Sequence, residues 1–364
     1  MAKLREGFTT GTAASAAAKA AVLWLADRME RAEIEVPLPP GGRHVVPIAR
    51  YEAEGAGVRV TVVKDGGDDP DVTHRAEIQA LVVLDLGLGD GEIVLKGGKG
   101  VGRVTLPGLP IPPGEPAINP APRAQIADAC REALREAGKQ GGARVVIEVP
   151  EGERLAQKTL NPRLGILGGI SILGTRGTVK PFSHASYVAT IESGLDVARA
   201  AGLTHAILST GGRSERLARE DLPHVPELAC VQFADFFAPA LTAAVARGFT
   251  RLTLSVFFGK LAKQAQGLPN THARTAPLDL PALAAICAEA GLEPEAVARV
   301  AAANTALAAQ DVILASPAGQ ACLQAVAAHA MACARKFAGP GPVLEYRVYT
   351  QDGKRLLTLE GDGA

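Results

Sequence analysis

The sequence predicts a two-domain protein, an α+β half followed by an α/β half. Three observations carry that expectation. The 364 residues are about twice the usual ~100–200-residue domain. In the first half, valine-rich strand segments cluster between helical segments; in the second, helices and strands alternate at the spacing of right-handed βαβ units on a parallel sheet. The expected boundaries are residues 1–150 and 151–340, with 341–364 a C-terminal hairpin that the pattern assigns to neither sheet.

Each element has a local reason. An alanine-rich run from Thr12 to about Arg28 is a helix, because alanine costs least in that state. Val45 to Tyr51 and Val58 to Lys64 are strands around the turn residues Glu54-Gly55-Ala56-Gly57, hence an antiparallel hairpin. Ile78 to Leu84 and Glu92 to Lys96 are further strands. The Pro- and Gly-rich stretch Pro107 to Pro122 leads into a helix from about Arg123 to Ala137, followed by an apolar strand, Ala143 to Val149. The second half predicts helix Tyr187 to Ala201, strand His205 to Ser209, helix Phe236 to Arg247 and strand Arg251 to Phe257. Helices then fill Leu280 to Phe337, and a hairpin turns at Asp352-Gly353.

Composition excludes several classes. Lys plus Arg and Asp plus Glu both total 38, so no net field draws the chain to nucleic acid or an anionic membrane. Aromatics at 4% leave few stacking platforms for bases. Five cysteines without close CxxC spacing predict reduced core residues of a cytosolic protein. Lys19 inside the alanine run argues against a secretion signal behind Lys3 and Arg5. The uncharged Val312 to Ala334 is interrupted by Ser316, Pro317, Gln320 and His329, which predicts a buried helix in place of an anchor. No Walker A loop, GxGxxG, GxSxG elbow or HExxH is present.

Acids are missing where bases are not. Between Glu153 and Glu192 stand Arg154, Lys158, Arg163, Arg176 and Lys180 without a carboxylate, and between Asp235 and Asp279 stand Arg247, Arg251, Lys260, Lys263 and Arg274. Two such stretches in a neutral chain predict a site for a ligand with several negative groups. The first also holds Gly165, Gly168, Gly169, Gly174 and Gly177, a density that lets backbone approach a ligand or make a tight turn. Gly7 to Thr12 precedes the first helix, so Thr9, Thr10 or Thr12 caps it and leaves N–H groups for an anion, or caps it alone. Lys64 to His74 packs Asp65, Asp68, Asp69 and Asp71 with His74: turn-formers, acid–base groups, or ligands of a hard cation. Thr210-Gly211-Gly212-Arg213 follows a presumed parallel strand at its carboxyl end, where α/β sheets bind ligands; Gly259-Lys260 follows another, with Asn270-Thr271-His272 beyond.

Five of these segments, in this order, resemble the CbiD family, cobalt-precorrin-5B C(1)-methyltransferases of the anaerobic cobalamin pathway. They are Gly7 to Thr12, Lys64 to His74, Ile118-Asn-Pro-Ala-Pro-Arg123, Lys158 to Pro181, and Gly259-Lys260 through Thr271-His272; the resemblance runs from about Leu4 to Gly353. It implies an N-terminal domain similar to ribosomal protein S5 domain 2 and a Rossmann-like second domain. It implies S-adenosylmethionine as methyl donor and an anionic cobalt-tetrapyrrole as substrate, so that the cobalt belongs to the substrate and no enzyme-held metal is required. Many relatives carry cysteine at Ala13 and serine at Ala273, so neither position supplies a nucleophile here, which fits direct transfer.

The resulting expectations are specific. Gly168, Gly169, Ser171, Gly174, Thr175, Gly211 and Gly212 hold the donor. Thr9, Thr10, Thr12, Asn119, Lys158, Asn161, Arg163, Lys260, Lys263 and Thr271 hold the substrate, and Asp65, Asp68, Asp69, His74 and His272 do acid–base work, one aspartate having its pKa raised by its neighbours. The enzyme is expected in the cytoplasm, without nucleic-acid or membrane partners and compatible with a homo-oligomer. The alternatives are a non-catalytic corrinoid carrier and a phosphate-binding, kinase-like enzyme.

Overall fold

The computed structural model describes residues 4–273, 276–361 and 363; Lys3 and Arg274, named above, lie outside them. The chain divides into two compact units, residues 4–183 and the remainder from His184. The first comprises β1 (Gly7–Phe8), α1 (Thr10–Asp27), β2 (Glu33–Pro37), β3 (Arg43–Pro47), β4 (Arg50–Glu54), β5 (Gly57–Val63), β6 (Glu77–Asp85), β7 (Ile93–Gly97), β8 (Gly100–Val101), β9 (Arg103–Val104), α2 (Pro120–Glu136), β10 (Gly142–Glu148), α3 (Gly152–Ala156), β11 (Ile166–Leu167), β12 (Gly169–Ile170) and β13 (Thr178–Val179).

A mixed sheet, β4-β5-β6-β10-β7, carries this unit, antiparallel except for the parallel β10–β7 pair. Helix α1 packs on β5 and β6 and against α2, and every residue from Thr10 to Leu23 is buried. Small side chains make that possible: a Cβ on Gly11 would meet Pro122 of α2 at 2.9 Å. The expected hairpin turn pairs Glu54 with Gly57, but only the end of Val45 to Tyr51 takes part. Its beginning, β3, pairs instead with β2, whose Ile34 and Val36 are buried between exposed Glu33 and Glu35.

The expected boundary near residue 150 is corrected to Ser183/His184. The glycine-rich run pairs back into the first unit, β11 with β9, β12 with β8 and β13 with β1. Glycine permits this contact, since a Cβ on Gly169 would strike the Gly100 carbonyl.

The second unit comprises α4 (His184–Ala200), β14 (His205–Ser209), α5 (Gly212–Asp221), β15 (Cys230–Gln232), α6 (Phe237–Ala246), β16 (Arg251–Phe257), α7 (Phe258–Ala265), α8 (Leu280–Glu289), α9 (Pro294–Ala301), α10 (Ala306–Leu314), α11 (Gly319–Ala338), β17 (Val343–Tyr349) and β18 (Arg355–Gly361). Its sheet runs β15-β14-β16-β17-β18, the first four strands mutually parallel and β18 antiparallel. The C-terminal hairpin therefore completes the second sheet and is not a separate element. Alternation along β14 decides the layers: Ala206 and Leu208 enter the large core with α4, α6, α7 and α11, while Ile207 packs with Ala218 of α5 and Leu222 just after it on the other face.

The five cysteines are buried. The uncharged 312–334 stretch is the end of α10 and most of α11, separated by Ser316-Pro317. Among the described residues no helix is long and apolar enough to cross a membrane.

Candidate active site

From the carboxyl end of β14 the chain turns into α5 and reaches β15 on one side; β16 lies on the other side. Such a reversal opens a crevice between two strand ends, where open α/β sheets bind ligands. Here it is a cavity of about 790 Å³, lined by Thr210–Ser214 after β14, by Phe257, Gly259, Lys260 and Lys263 after β16, and by Thr271, Asn304 and Gln351 among others. Pro277, Leu278 and Leu280 supply apolar wall, and no carboxylate stands among the described lining residues.

Three helices begin at this cavity. Gly211 and Gly212 open α5, Phe257 and Phe258 open α7, and Thr305, whose Oγ1 accepts from the Ala308 N–H at 3.1 Å, caps α10. Each contributes unpaired N–H groups and the positive end of a helix dipole, so negative charge is stabilised here. A Cβ on Gly211 would meet nothing within 4 Å, so the space before α5 is open. Ser209, next to Thr210, is fully buried and its hydroxyl has no hydrogen-bond partner among the described residues.

Two lysines and one aspartate set the charge. Lys260 pairs with Asp235 and donates to Thr271 Oγ1 at 3.2 Å; Thr271 Oγ1 donates to Asp235 Oδ1 at 3.2 Å. Lys263 Nζ donates to the Thr271 carbonyl at 3.1 Å and, among the described residues, has no carboxylate of its own. Burial, then the neighbouring Lys260 ammonium, hold the Lys263 pKa below the usual lysine range, partly offset by Asp235. Arg213, over the Phe257 ring at 5.7 Å and bonded to Gln351 at 3.2 Å, adds a third cation at the wall.

Of the predicted site residues, Gly211, Gly212, Lys260, Lys263 and Thr271 meet in this cavity. The five other predicted donor residues belong to the first unit. Thr9 caps α1 through its Oγ1, but the first-turn N–H groups do not face outward as anticipated. The Thr9 N–H bonds the Gly177 carbonyl at 3.0 Å and the Gly11 N–H bonds that of Leu173 at 3.2 Å. Thr10 Oγ1 accepts from the Leu173 N–H at 2.9 Å, and Thr12 Oγ1 donates to the Gly177 carbonyl at 2.7 Å. The three threonines clasp the glycine run to α1. Gly174 exists for the same clasp, because a Cβ there would run into the Thr9 side chain. Thr175 and Gly168 are exposed, and buried Ser171 donates to Asn161 Oδ1 at 3.4 Å. Asn161 Nδ2 bonds the Gly169 carbonyl at 3.2 Å, and the Asn119 N–H bonds that of Ile172 at 2.9 Å.

The aspartate loop is a bonded turn. Asp65 pairs with Arg5 and accepts from the Gly67 N–H at 2.9 Å, and the Arg5 guanidinium holds its pKa at about 2. For Asp65 the shift is downward and not the expected upward one, and Asp71, paired with buried Lys64 at 2.6 Å, is lowered too, despite the opposing effect of burial. Asp68 accepts from the Arg5 N–H at 2.7 Å, Asp69 from the Phe182 N–H at 2.8 Å, and His74 Nδ1 from the Gly66 N–H at 3.0 Å. Among the described residues no cluster of three or more His, Cys, Asp or Glu is arranged to hold a metal ion.

Acid-free in sequence is not acid-free in space. Arg154 pairs with Glu151, Arg247 with Asp196, and Arg251 with Glu345 and Glu360. Lys158 is exposed and Arg163 half-buried. His272 is exposed and does not line the cavity. Thr210 and Arg213, expected at the carboxyl end of their strand, line the cavity as well; Ser214, Phe257, Asn304, Thr305, Gln351 and Asp235 carry no ligand expectation from the sequence, and of these the carboxyl-end rule reaches Ser214 and Phe257.

A family model described as CbiD matches residues 1–181, and one described as CbiD, C-terminal domain, matches residues 270–358. The cobalt-precorrin-5B C(1)-methyltransferase of Nitratidesulfovibrio vulgaris is 53% identical over 98% of this chain and 93% of its own length. The proteins of the same name from Thermus thermophilus and a Geobacillus species are 46% and 44% identical, over 83% and 97% of this chain and 80% and 96% of theirs. A solved structure of a cobalamin biosynthesis protein (cbiD) from Archaeoglobus fulgidus is 31% identical, covers 71% of this chain and 78% of that one, and superposes with a TM-score of 0.39.

Proposed function

The chain belongs to the CbiD family, and from that premise we propose that it transfers a methyl group from S-adenosylmethionine to ring carbon 1 of cobalt-precorrin-5B, giving cobalt-precorrin-6A in cobalamin biosynthesis in the cytoplasm. The observation supporting the site is the acid-free cavity at the β14/β16 crevice, with three helix N-termini and two lysines around it.

The cavity suits both reactants' anionic ends. Its volume of about 790 Å³ is within the range of small-molecule sites, ~300–1,000 Å³. Gly211 and Gly212, opening α5, present backbone N–H groups to the donor's methionine carboxylate, with open space where a side chain would stand. Leu278, Leu280 and Pro277 pack the adenosine, while Asn304 and Thr305 offer polar contacts. Lys263 and Lys260 hold a substrate acetate or propionate, each charge-assisted contact contributing about 1.5–3 kcal/mol. The donor's sulfonium supplies an activated methyl, so the residues position two ligands and exclude water. We read the first unit as similar to ribosomal protein S5 domain 2, on its mixed sheet under α1. The second reads as Rossmann-like in the broad doubly wound sense, on its parallel strands.

The test is incubation of purified enzyme with anaerobically prepared cobalt-precorrin-5B and methyl-labelled S-adenosylmethionine, with product analysed by mass and label position. One label on the ring is expected. No transfer to verified substrate overturns the proposal, and tight tetrapyrrole binding without donor binding by calorimetry marks a carrier.

A further inference from the structure

Asp235 belongs to no motif, yet among the described residues it is the one carboxylate bonded to Lys260 and Thr271 at the cavity edge. It lies in the turn after β15, behind Ala234, which takes a left-handed backbone conformation with φ of 47°. A residue with a Cβ adopts that region at a cost, and such strain persists where the surroundings hold it. The turn is held on both sides: the Phe233 N–H bonds the Ser209 carbonyl at 2.8 Å, and the Thr271 N–H bonds the Asp235 carbonyl at 2.9 Å. The strained turn thus ties the end of β14 to the segment carrying Thr271, and points its carboxylate at Lys260.

Two ammonium groups face one carboxylate, so the cluster keeps a single uncancelled positive charge, and it resides on Lys263, which donates to a neutral carbonyl. We infer that Asp235 is a positioning residue that aims Lys260 and Thr271 and sets this subsite to receive one monovalent carboxylate in preference to a doubly charged anion. The inference rests on the cavity being the substrate-carboxylate site proposed above. Without Asp235 the two lysines would present two charges and repel each other, favouring a dianion. The charged and titratable groups near the cluster include Tyr187 of α4, which senses Asp235, His184 of α4, whose ring lies 5.3 Å from that of Phe236, Arg213 of α5 in the same cavity, His272 next to Thr271, and the two lysines of α7.

The experiment measures binding of propionate and of sulfate to the full chain at constant ionic strength, by calorimetry or thermal shift, in wild type and Asp235→Asn. Asparagine keeps the size and the backbone bond to Thr271 while deleting charge. The ratio of sulfate to propionate affinity is expected to rise about tenfold, the factor that one charge-assisted contact carries. The alkaline limit of propionate binding should also move to lower pH, because the lysines lose a stabilising carboxylate. An unchanged ratio and an unmoved limit overturn the inference. Should Asp235→Asn fail to fold, Asp235→Glu keeps the charge and displaces it by one methylene. It should weaken both anions about tenfold with the ratio unchanged, and binding like wild type overturns the positioning role. Neither readout needs methyl transfer. An enzyme that binds propionate as described but moves no methyl refutes the proposed reaction and leaves the subsite standing.

Discussion

Lys260 and Lys263 both reach the same carbonyl oxygen, that of Thr271, at 3.5 and 3.1 Å. Two ammonium groups on one neutral acceptor tolerate each other because Asp235 cancels one of them, and the remaining charge has no counter-ion among the described residues of the cluster. That imbalance is what an incoming anion would relieve.

Lys263→Gln should therefore raise the substrate KM about tenfold or more, the loss of one charge-assisted contact. Donor affinity should stay the same or improve slightly, since the donor carries a sulfonium cation. Equal losses for both ligands, or a large fall in Tm, would show a folding defect instead. Because burial and Lys260 lower the Lys263 pKa, substrate binding in wild type should weaken as pH rises, with the decline starting below the ordinary lysine range. A KM profile across the alkaline range checks the sign.

Gly211→Val should abolish donor binding while leaving Tm within about 1 °C of wild type. Its φ of 163° is extended backbone open to any residue, and a Cβ there meets no protein atom within 4 Å, so the side chain enters the open space before α5. Calorimetric titration with S-adenosylmethionine reads the first effect and a melting curve the second. Undiminished donor affinity would move the donor away from α5.

In the glycine run the opposite pattern is expected. Gly174→Ala puts a Cβ into Thr9 at a φ of 138° and should cost about 3 kcal/mol by overpacking. Gly168→Ala, at a φ of 78° with open space around it, should cost only about 1 kcal/mol of backbone strain. Denaturant titrations of the two variants separate them; equal losses would contradict the clasp between this run and α1.

The Asp65 pair predicts an acid response. The folded-state pKa of about 2 lies below the ordinary value of 3.8, so its stabilising contribution is present above pH ~4 and disappears as pH falls through about 2. Tm of wild type should drop over that interval more steeply than Tm of Asp65→Asn. At neutral pH, single-turnover methylation by Asp65→Asn should match wild type, because a carboxylate already ionised far below neutrality is a poor proton shuttle. Slowing of about tenfold or more with unchanged Tm would restore the catalytic role.

Much of the framework was legible locally. Strands β14 and β16 coincide with the expected His205–Ser209 and Arg251–Phe257, because strands buried on both faces leave short apolar runs bounded by turn residues. The cavity residues Gly211, Gly212 and Lys260 followed from their place after those strands, and Lys263 from the acid-free basic stretch. Strand β2 went unread because Pro37 ends it after a single Glu-Ile-Glu-Val alternation. The first-unit segments singled out in the sequence have one structural feature in common. Glycine density and clustered threonines signal that something approaches the backbone closely, and here it is the chain itself: Gly100, Thr9 and the first turn of α1.

The sequence by itself determined the elements whose causes are local: the alanine helix, the Glu54–Gly57 turn, the alternation of helix and strand after Glu151, and the resemblance to a family through five ordered segments. Tertiary structure alone decided which charges remain available. Arg247 and Arg251 stand in an acid-free stretch, yet Asp196, Glu345 and Glu360 neutralise them from 51, 94 and 109 residues away. Asp235 finds Lys260 only because β15 and β16 flank β14 and bring their following turns together. Coulombic pairing depends on distance in space, and folding makes that distance independent of separation along the chain.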